Sequence, residues 1–198
     1  MEDITNYMDQ NTLFNKVEQY QSLTCSAHEA RVKDYSLQLF DFLARYYDLS
    51  SEERSLLEAS AWLHDIGHKV SAHKHDLHTF SMITKDEGFS FLPVELRSAL
   101  ALIAGGHRKK INKAIAKHNK DEQRTIFKLT AILRVADAID YYRKDDVRIT
   151  DISWCKQALL LTFEGSMLDL IFERIVKKGV LFEEVFAPLR LESVREDY

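Results

Sequence analysis

Helical periodicity over the first 143 residues is the feature that most limits how this chain can fold. Apolar side chains there recur every three or four positions instead of alternating, and only two prolines and six glycines occur among all 198 residues. From His28, one apolar stripe runs through Val32, Tyr35 and Leu39, which places the imidazole on the inward face of a helix. The sequence therefore predicts a mainly α-helical protein.

Capping and breaking residues divide this helical region into segments. Ser51 has the character of a helix-capping residue, Pro93 suits a first helical turn, and Gly105 follows an apolar run. Besides the helix that contains His28, these boundaries predict four helical segments. Three have both bounds, 51–63, 94–104 and 122–142, and the fourth begins near residue 76.

After Asp145 the pattern changes to alternation. Two short strands are predicted around 147–152 and 159–163, a helical stripe follows over 168–176, and residues 186–191 return as an edge strand. A hydrophobic content of 45% suffices for one sizeable core at this length. We therefore expect a helical domain over 1–145 with a small C-terminal strand-helix-strand appendage over 146–198 packed on it.

Charge and terminal composition exclude several classes of protein. The formal net charge of −4 and a pI near 6.1 give no overall attraction to nucleic acid or anionic membranes. The first residues lack a basic and apolar leader, and no apolar run reaches membrane-spanning length. Cys25 and Cys155 have no CxxC partner, so neither a disulfide framework nor a zinc ribbon is expected. We expect a cytoplasmic protein that binds no membrane.

The adjacent pair His64-Asp65, which closes an apolar run, is the main functional signal. His28 upstream and Asp137 downstream are also predicted to point inward, and buried charges rarely lack a partner or a metal. Two imidazoles and two carboxylates form a ligand set suited to Mn, Fe, Co, Ni or Zn, with Mg as a further possibility. Such an ion can lower the pKa of a bound water toward ~7 and polarise a phosphoryl oxygen. The sequence predicts one such metal ion and hydrolysis of a phosphoester or phosphoanhydride.

A second metal ion is an open alternative at the same place. Asp65 could bridge two ions, with His78 and His107 as the further ligands, whereas His75 is assigned to a solvated loop. The predicted catalytic residues are Asp65, His68 and His107. For His68, an unperturbed pKa near ~6.5 would suit a substrate contact or a general acid.

Positive charge accumulates after position 107. Arg108 and Lys109 open a basic run that extends to position 124, and Arg134 and Arg143 flank the predicted aspartate ligand of the long helix. These four residues are the predicted phosphate contacts, and helix geometry favours one of Arg134 and Arg143 over both. The alternative is that the basic run is simply a solvated helix face.

Four segments resemble the HD superfamily of metal-dependent phosphohydrolases: HEARV (28–32), LHDIGH (63–68), HRK (107–109) and LRVADAID (133–140). More closely, with His78-Thr79 as a further match, they are similar to the helical C-terminal domain of the exopolyphosphatase/guanosine pentaphosphate phosphatase family over roughly 20–145. The resemblance implies an HD-domain helical bundle with four metal ligands: His28, His64, Asp65 and Asp137. In that family other domains carry polyphosphate hydrolysis, so the resemblance does not extend to that activity. A Gly-Tyr-Pro motif of HD-type cyclic dinucleotide phosphodiesterases is also absent.

Three functions remain open at this stage. The first is a hydrolase of a nucleotide or another small phosphorylated metabolite, and the second is a regulatory or ligand-binding HD module without turnover. The third, a nucleic-acid module that uses the basic run, is disfavoured by the overall charge. A homodimer is a further possibility if apolar residues of the tail, such as Phe182 and Phe186, are exposed.

Overall fold

The computed structural model describes residues 1–20, 26–108 and 110–194, and it confirms the mainly α fold with a small strand-containing appendage. The helices are α1 (Gln10–Tyr20), α2 (Ser26–Leu43), α3 (Ser51–Leu63), α4 (His75–Lys85), α5 (Val94–Ala104), α6 (Lys120–Ile139), α7 (Leu168–Lys178) and α8 (Val180–Val185). The strands are β1 (Arg148–Cys155), β2 (Ala158–Glu164) and β3 (Leu189–Ser193).

Helix α6 forms the centre of the core. It packs against α2, α3 and α5 on the side of the helical region and against α7 and α8 of the appendage. A capping box between Asn119 and Glu122 fixes its start. From there apolar side chains such as Leu129 and Leu133 are fully buried, each stabilising the fold by roughly 1.5–3 kcal/mol. Residues near the C-terminal end of α6 are therefore held firmly in place.

The start of α3 corrects one detail of the sequence interpretation. The capping residue is Ser50 rather than Ser51, because Ser50 has extended backbone angles and its side chain accepts a hydrogen bond from the backbone N–H of Glu53. The Glu53 carboxylate in turn accepts from the backbone N–H of Ser50. This reciprocal pair forms the capping box that begins the helix leading to His64.

The appendage is a three-stranded sheet with two helices in its crossover. Strands β1 and β2 are antiparallel, and β3 joins β2 in parallel at the edge of the sheet, with α7 and α8 between them in sequence. Two tyrosines of the helical region hydrogen-bond to appendage carbonyls: Tyr35 donates to the Val147 oxygen at 2.8 Å, and Tyr47 donates to the Phe186 oxygen at 2.9 Å. The appendage is thus attached by polar contacts as well as by apolar packing.

The apolar tail residues considered for a dimer interface are occupied within the chain. Phe182 is fully buried, and Phe186 packs edge-on against Tyr47 with ring centroids 4.9 Å apart. Phe182 is buried because α8, which contains it, packs against α6. These two residues therefore give no support to the homodimer.

Neither the helices nor the cysteines of the described residues indicate a membrane span or a disulfide. In the described ranges, no helix combines the length and apolar character needed to cross a bilayer. Cys155 is a free, partly exposed thiol at the end of β1, and Cys25 lies outside the described residues.

Candidate metal centre

Four imidazoles and two carboxylates line a cavity of about 450 Å³, which we call the first cavity. A fifth imidazole, His64, is fully buried beside it, with Nε2 3.6 Å from an Asp65 carboxylate oxygen. These residues come from five different helices or the turns next to them, which the core packing brings together. We call these seven residues the His/Asp cluster: His28, His64, Asp65, His68, His75, His107 and Asp137.

Asp65 lies at the centre of the His/Asp cluster. Each of the five imidazoles places its Nε2 atom between 3.3 and 3.6 Å from an Asp65 carboxylate oxygen. Asp137 approaches from α6, with Oδ1 at 3.8 Å from His28 Nε2 and 4.0 Å from His64 Nε2. Ligand atoms that share one ion at ~2.0–2.2 Å are separated by a few ångströms, so this spacing suits metal coordination.

Two ligand sets can be distinguished within the cluster, and both contain Asp65. In the first, ligand atoms of His28, His64 and Asp65 lie within 4.8 Å of one another, and in the second, those of Asp65, His68 and His75 do. A carboxylate with two oxygens that belongs to both sets is suited to bridging two ions.

His28 is oriented by a buried carboxylate on α6. Its Nδ1 lies 2.6 Å from Asp140 Oδ2, and because a carboxylate only accepts, Nδ1 carries the proton and donates. Arg31 also donates to Asp140, from Nε at 2.7 Å and from Nη2 at 3.1 Å. The Nε2 lone pair of His28 is therefore directed into the cluster, as in the carboxylate-oriented histidine ligands of metal sites.

Three further imidazoles are oriented by backbone carbonyls. In each, Nδ1 donates to the carbonyl oxygen three residues earlier, at 2.7 Å for His64, 2.7 Å for His107 and 3.2 Å for His75. His64 and His107 follow the ends of α3 and α5, where helix carbonyls have no helical partner. His64 Nε2 is buried and has no hydrogen-bond partner among the described residues. A metal ion is the partner that such an atom fits.

The contact between His75 and His107 also favours a cation. Their Nε2 atoms are 3.0 Å apart, and both Nδ1 atoms already donate to carbonyls. Burial and the neighbouring His64 lower the pKa of His107 to about 4, so this imidazole is neutral near pH 7. Two facing lone pairs repel each other unless a cation lies between or beside them, either a proton on His75 or a metal ion.

Both carboxylates of the cluster are ionised at neutral pH. Burial opposes the charge on Asp65, but the neighbouring imidazoles, His64 above all, hold its pKa well below the usual range. Burial likewise opposes the charge on Asp137, and Lys178 overcomes this effect and lowers the pKa. The Lys178 ammonium donates to Asp137 Oδ2 at 3.1 Å and to the His107 carbonyl at 3.0 Å. The carboxylates are thus available as anionic ligands.

Positive side chains line the walls of the first cavity. Arg108 and Arg143 come from loops after α5 and α6, whereas the other cations come from one face of α7. These are Arg174, Lys177 and Lys178. The guanidinium of Arg174 stacks on Tyr141, with Cζ 3.6 Å from the ring centroid. A negatively charged ligand would therefore be attracted toward the His/Asp cluster.

The structure places most, but not all, of the predicted site residues in this cavity. His78 neither lines the first cavity nor belongs to either ligand set in the described part of the chain. The next position, Thr79, contacts the site instead, since its hydroxyl donates to the His64 carbonyl at 2.8 Å. Arg143 lines the first cavity, whereas Arg134 faces an adjoining one. Lys109 lies outside the described residues.

Sequence reasoning missed three contributors to the site. His75 is not a solvated loop residue, because it begins α4 and its side chain is only 11% exposed. Asp140 stands three residues after Asp137 on the same helical stripe, and this spacing was a usable signal for its role. Lys178 had no comparable signal, since only the packing of α7 on α6 brings it to Asp137.

Fold and cluster together define a class of protein: a mainly α domain in which imidazoles and carboxylates from several helices meet at the floor of a cationic cavity. The family described as Ppx/GppA phosphatase, domain III, matches residues 13–174. This match covers most of the chain, so the protein belongs to that family and is related to the C-terminal domain of exopolyphosphatases. The matched range contains the whole His/Asp cluster and ends before Lys178. A comparison with curated proteins found no match.

Proposed function

We propose that this protein is a metal-dependent phosphohydrolase of the HD type, acting on a nucleotide or another small phosphorylated metabolite. The observation that carries the proposal is the shared orientation of four imidazoles, whose Nδ1 protons are engaged and whose Nε2 atoms converge on Asp65. Membership in the Ppx/GppA phosphatase domain III family relates the chain to phosphatases and does not by itself assign hydrolysis to this domain.

His28, His64, Asp65 and Asp137 would hold a divalent ion, with His75 and His107 as candidates for a second one. The ion would supply a Lewis acid and a more acidic water for attack on phosphorus. The protein side chains bind and orient the substrate. Arg108, Arg143 and the cations of α7 would neutralise phosphate oxygens at the cavity wall.

His68 has a different position from the other imidazoles of the cluster. Its side chain is 37% exposed, and its ring stacks on His75 with centroids 3.9 Å apart. It is therefore the imidazole of the cluster most accessible to a ligand that enters the first cavity. We propose that His68 contacts the substrate rather than serving only as a ligand of the ion.

A regulatory module is the second candidate, and the name of the matching family favours it. Domain III is one part of the phosphatases that the family name describes, and a domain can retain a pocket and an ion without performing chemistry. In that case the protein would bind a phosphorylated ligand in the first cavity without turnover.

Metal content is the first test of both candidates. Tag-free protein purified without chelator should contain about one or two equivalents of a divalent metal by mass spectrometry, and Asp65→Ala should lose it. Asp41→Ala is the matched control, because Asp41 is an exposed aspartate that pairs only with Arg54 among the described residues. Protein that stays empty after loading with Mn, Fe, Co, Ni, Zn and Mg would contradict the metal centre.

Phosphate release from a panel of nucleotides and phosphate esters then separates the two candidates. The hydrolase predicts turnover that requires the loaded metal and disappears in Asp65→Ala but not in Asp41→Ala. Saturable binding without turnover across the panel, in metal-loaded protein, would favour the regulatory module instead.

A further inference from the structure

A second cavity, of about 590 Å³, adjoins the first one. The two cavities share three wall residues, Arg108, Lys177 and Lys178, but the second contains no member of the His/Asp cluster. Its remaining polar wall groups are Lys110, Arg134 and Glu184. The second cavity is therefore separate from the candidate metal centre, with a cationic wall between them.

Arg134 is the unusual residue of the second cavity. The residue is only 7% exposed, and its Nε donates to the Gly106 carbonyl at 2.8 Å. Its Nη2 is buried and has no hydrogen-bond partner in the described part of the chain. A buried N–H group without a hydrogen-bond acceptor is unfavourable for the folded state. We therefore infer that a ligand supplies the acceptor for Nη2.

The electrostatics of the second cavity favour an anion. Burial lowers the pKa of Arg134, and the charge of Glu184 opposes this effect. Among the described residues, Glu184 is the one acidic residue of the wall. The same wall contains five cationic side chains, two arginines and three lysines. Three of these cations have a carboxylate partner outside the wall: Lys178 pairs with Asp137, Lys177 with Glu173 and Arg108 with Asp76. Arg134 and Lys110 have no ion pair among the described residues, and they still outnumber Glu184. A planar guanidinium group is well suited to binding phosphate oxygens.

A purely structural role does not account for Arg134. Holding the turn after α5 requires only the Nε–H that donates to the Gly106 carbonyl. That hydrogen bond does not involve Nη2, which is buried with the charged group and has no partner among the described residues.

We propose that the second cavity is an anion subsite that binds a phosphate group of the ligand other than the one placed at the His/Asp cluster. This proposal rests on the proposed function, since it takes the first cavity to be the place where the reacting phosphate binds. Because Arg108, Lys177 and Lys178 line both cavities, two phosphate groups of one ligand would share these three cations. The ligand class is therefore a metabolite with at least two phosphate groups rather than a simple monoester.

Binding of methylenediphosphonate, a pyrophosphate analogue that resists hydrolysis at its bridge, tests the proposal. Calorimetry on the unmodified protein should give saturable binding that weakens at least tenfold in Arg134→Gln, a variant that keeps an amide donor but loses the charge. The matched control is Lys117→Ala, which removes an exposed lysine that lies outside both cavities and should change affinity less than twofold. Equal affinity of Arg134→Gln and the unmodified protein would overturn the proposal.

A second measurement remains decisive even if Arg134→Gln fails to fold. In the unmodified protein, the arginine Nε–Hε resonance of Arg134 should shift on saturation with methylenediphosphonate, and an unshifted resonance would overturn the subsite. This readout requires neither metal nor turnover. The two proposals can therefore fail separately. If the anion subsite is wrong, metal-dependent phosphate release is still expected. If the hydrolase is wrong, the resonance shift of Arg134 is still expected.

Discussion

Replacing Asp140 by Asn tests whether the orientation of His28 matters for metal binding. Asp140 is 1% exposed and accepts hydrogen bonds from both His28 and Arg31. The amide of Asn keeps the shape but offers one acceptor oxygen in place of two, so it cannot serve both donors as well. Loss of such an orienting partner typically weakens metal binding ~10–100-fold, which corresponds to about 1.4–2.7 kcal/mol. We expect Asp140→Asn to fall within that range.

Competition titration with a chromophoric chelator measures this affinity. The matched control is Asp41→Asn, because Asp41 also accepts two hydrogen bonds from one arginine, Arg54, at 2.7 and 3.0 Å, but on the protein surface. Thermal unfolding of each variant without metal separates loss of the fold from loss of the ion. A folded Asp140→Asn protein that binds metal within twofold of the unmodified protein would refute the orienting role.

Three further predictions test other parts of the structure. His75→Ala should remove one of two bound metal equivalents, because His75 belongs to the second ligand set with Asp65 and His68. The control is His78→Ala, on the same helix, which should remove none. Equal metal content in the two variants would contradict the second ligand set. Gly67→Ala should lower the melting temperature by several degrees, since a Cβ there overlaps the His75 backbone oxygen and overpacking costs roughly 1–3 kcal/mol. Tyr35→Phe should cost about 0.5–1.5 kcal/mol in chemical denaturation, because the Val147 carbonyl loses the Tyr35 hydroxyl and keeps only the hydrogen bond from Arg148; an unchanged midpoint would show that the Tyr35 hydrogen bond adds nothing to stability.

The fold could be predicted from the sequence to a large extent, because periodicity and capping residues are local signals. The helix over 94–104 was predicted at both ends, and the strand-helix-strand order of the appendage follows from the change to alternation after Asp145. What the sequence did not reveal is the parallel pairing of β3 with β2, since pairing between distant strands has no local signature.

The predicted metal ligands do meet in space, although metal binding remains a prediction. Their inward orientation was readable because each lies on an apolar stripe or at the end of one. The structure brings His75 rather than His78 to the cluster, and this has a physical reason. At the start of a helix, the direction in which each side chain points depends on the backbone conformation of the residue before the first turn. Here that residue, Lys74, has a left-handed conformation.

Asp137 links the two parts of the chain through its two carboxylate oxygens. Oδ1 faces the imidazoles of His28 and His64, while Oδ2 accepts a hydrogen bond from Lys178 at the last position of α7. Because the same lysine also donates to the carbonyl of His107, the appendage contacts both sides of the cluster. The site therefore depends on α7 for charge balance at Asp137 as well as for the cationic wall, and removal of the appendage would alter the candidate metal centre itself.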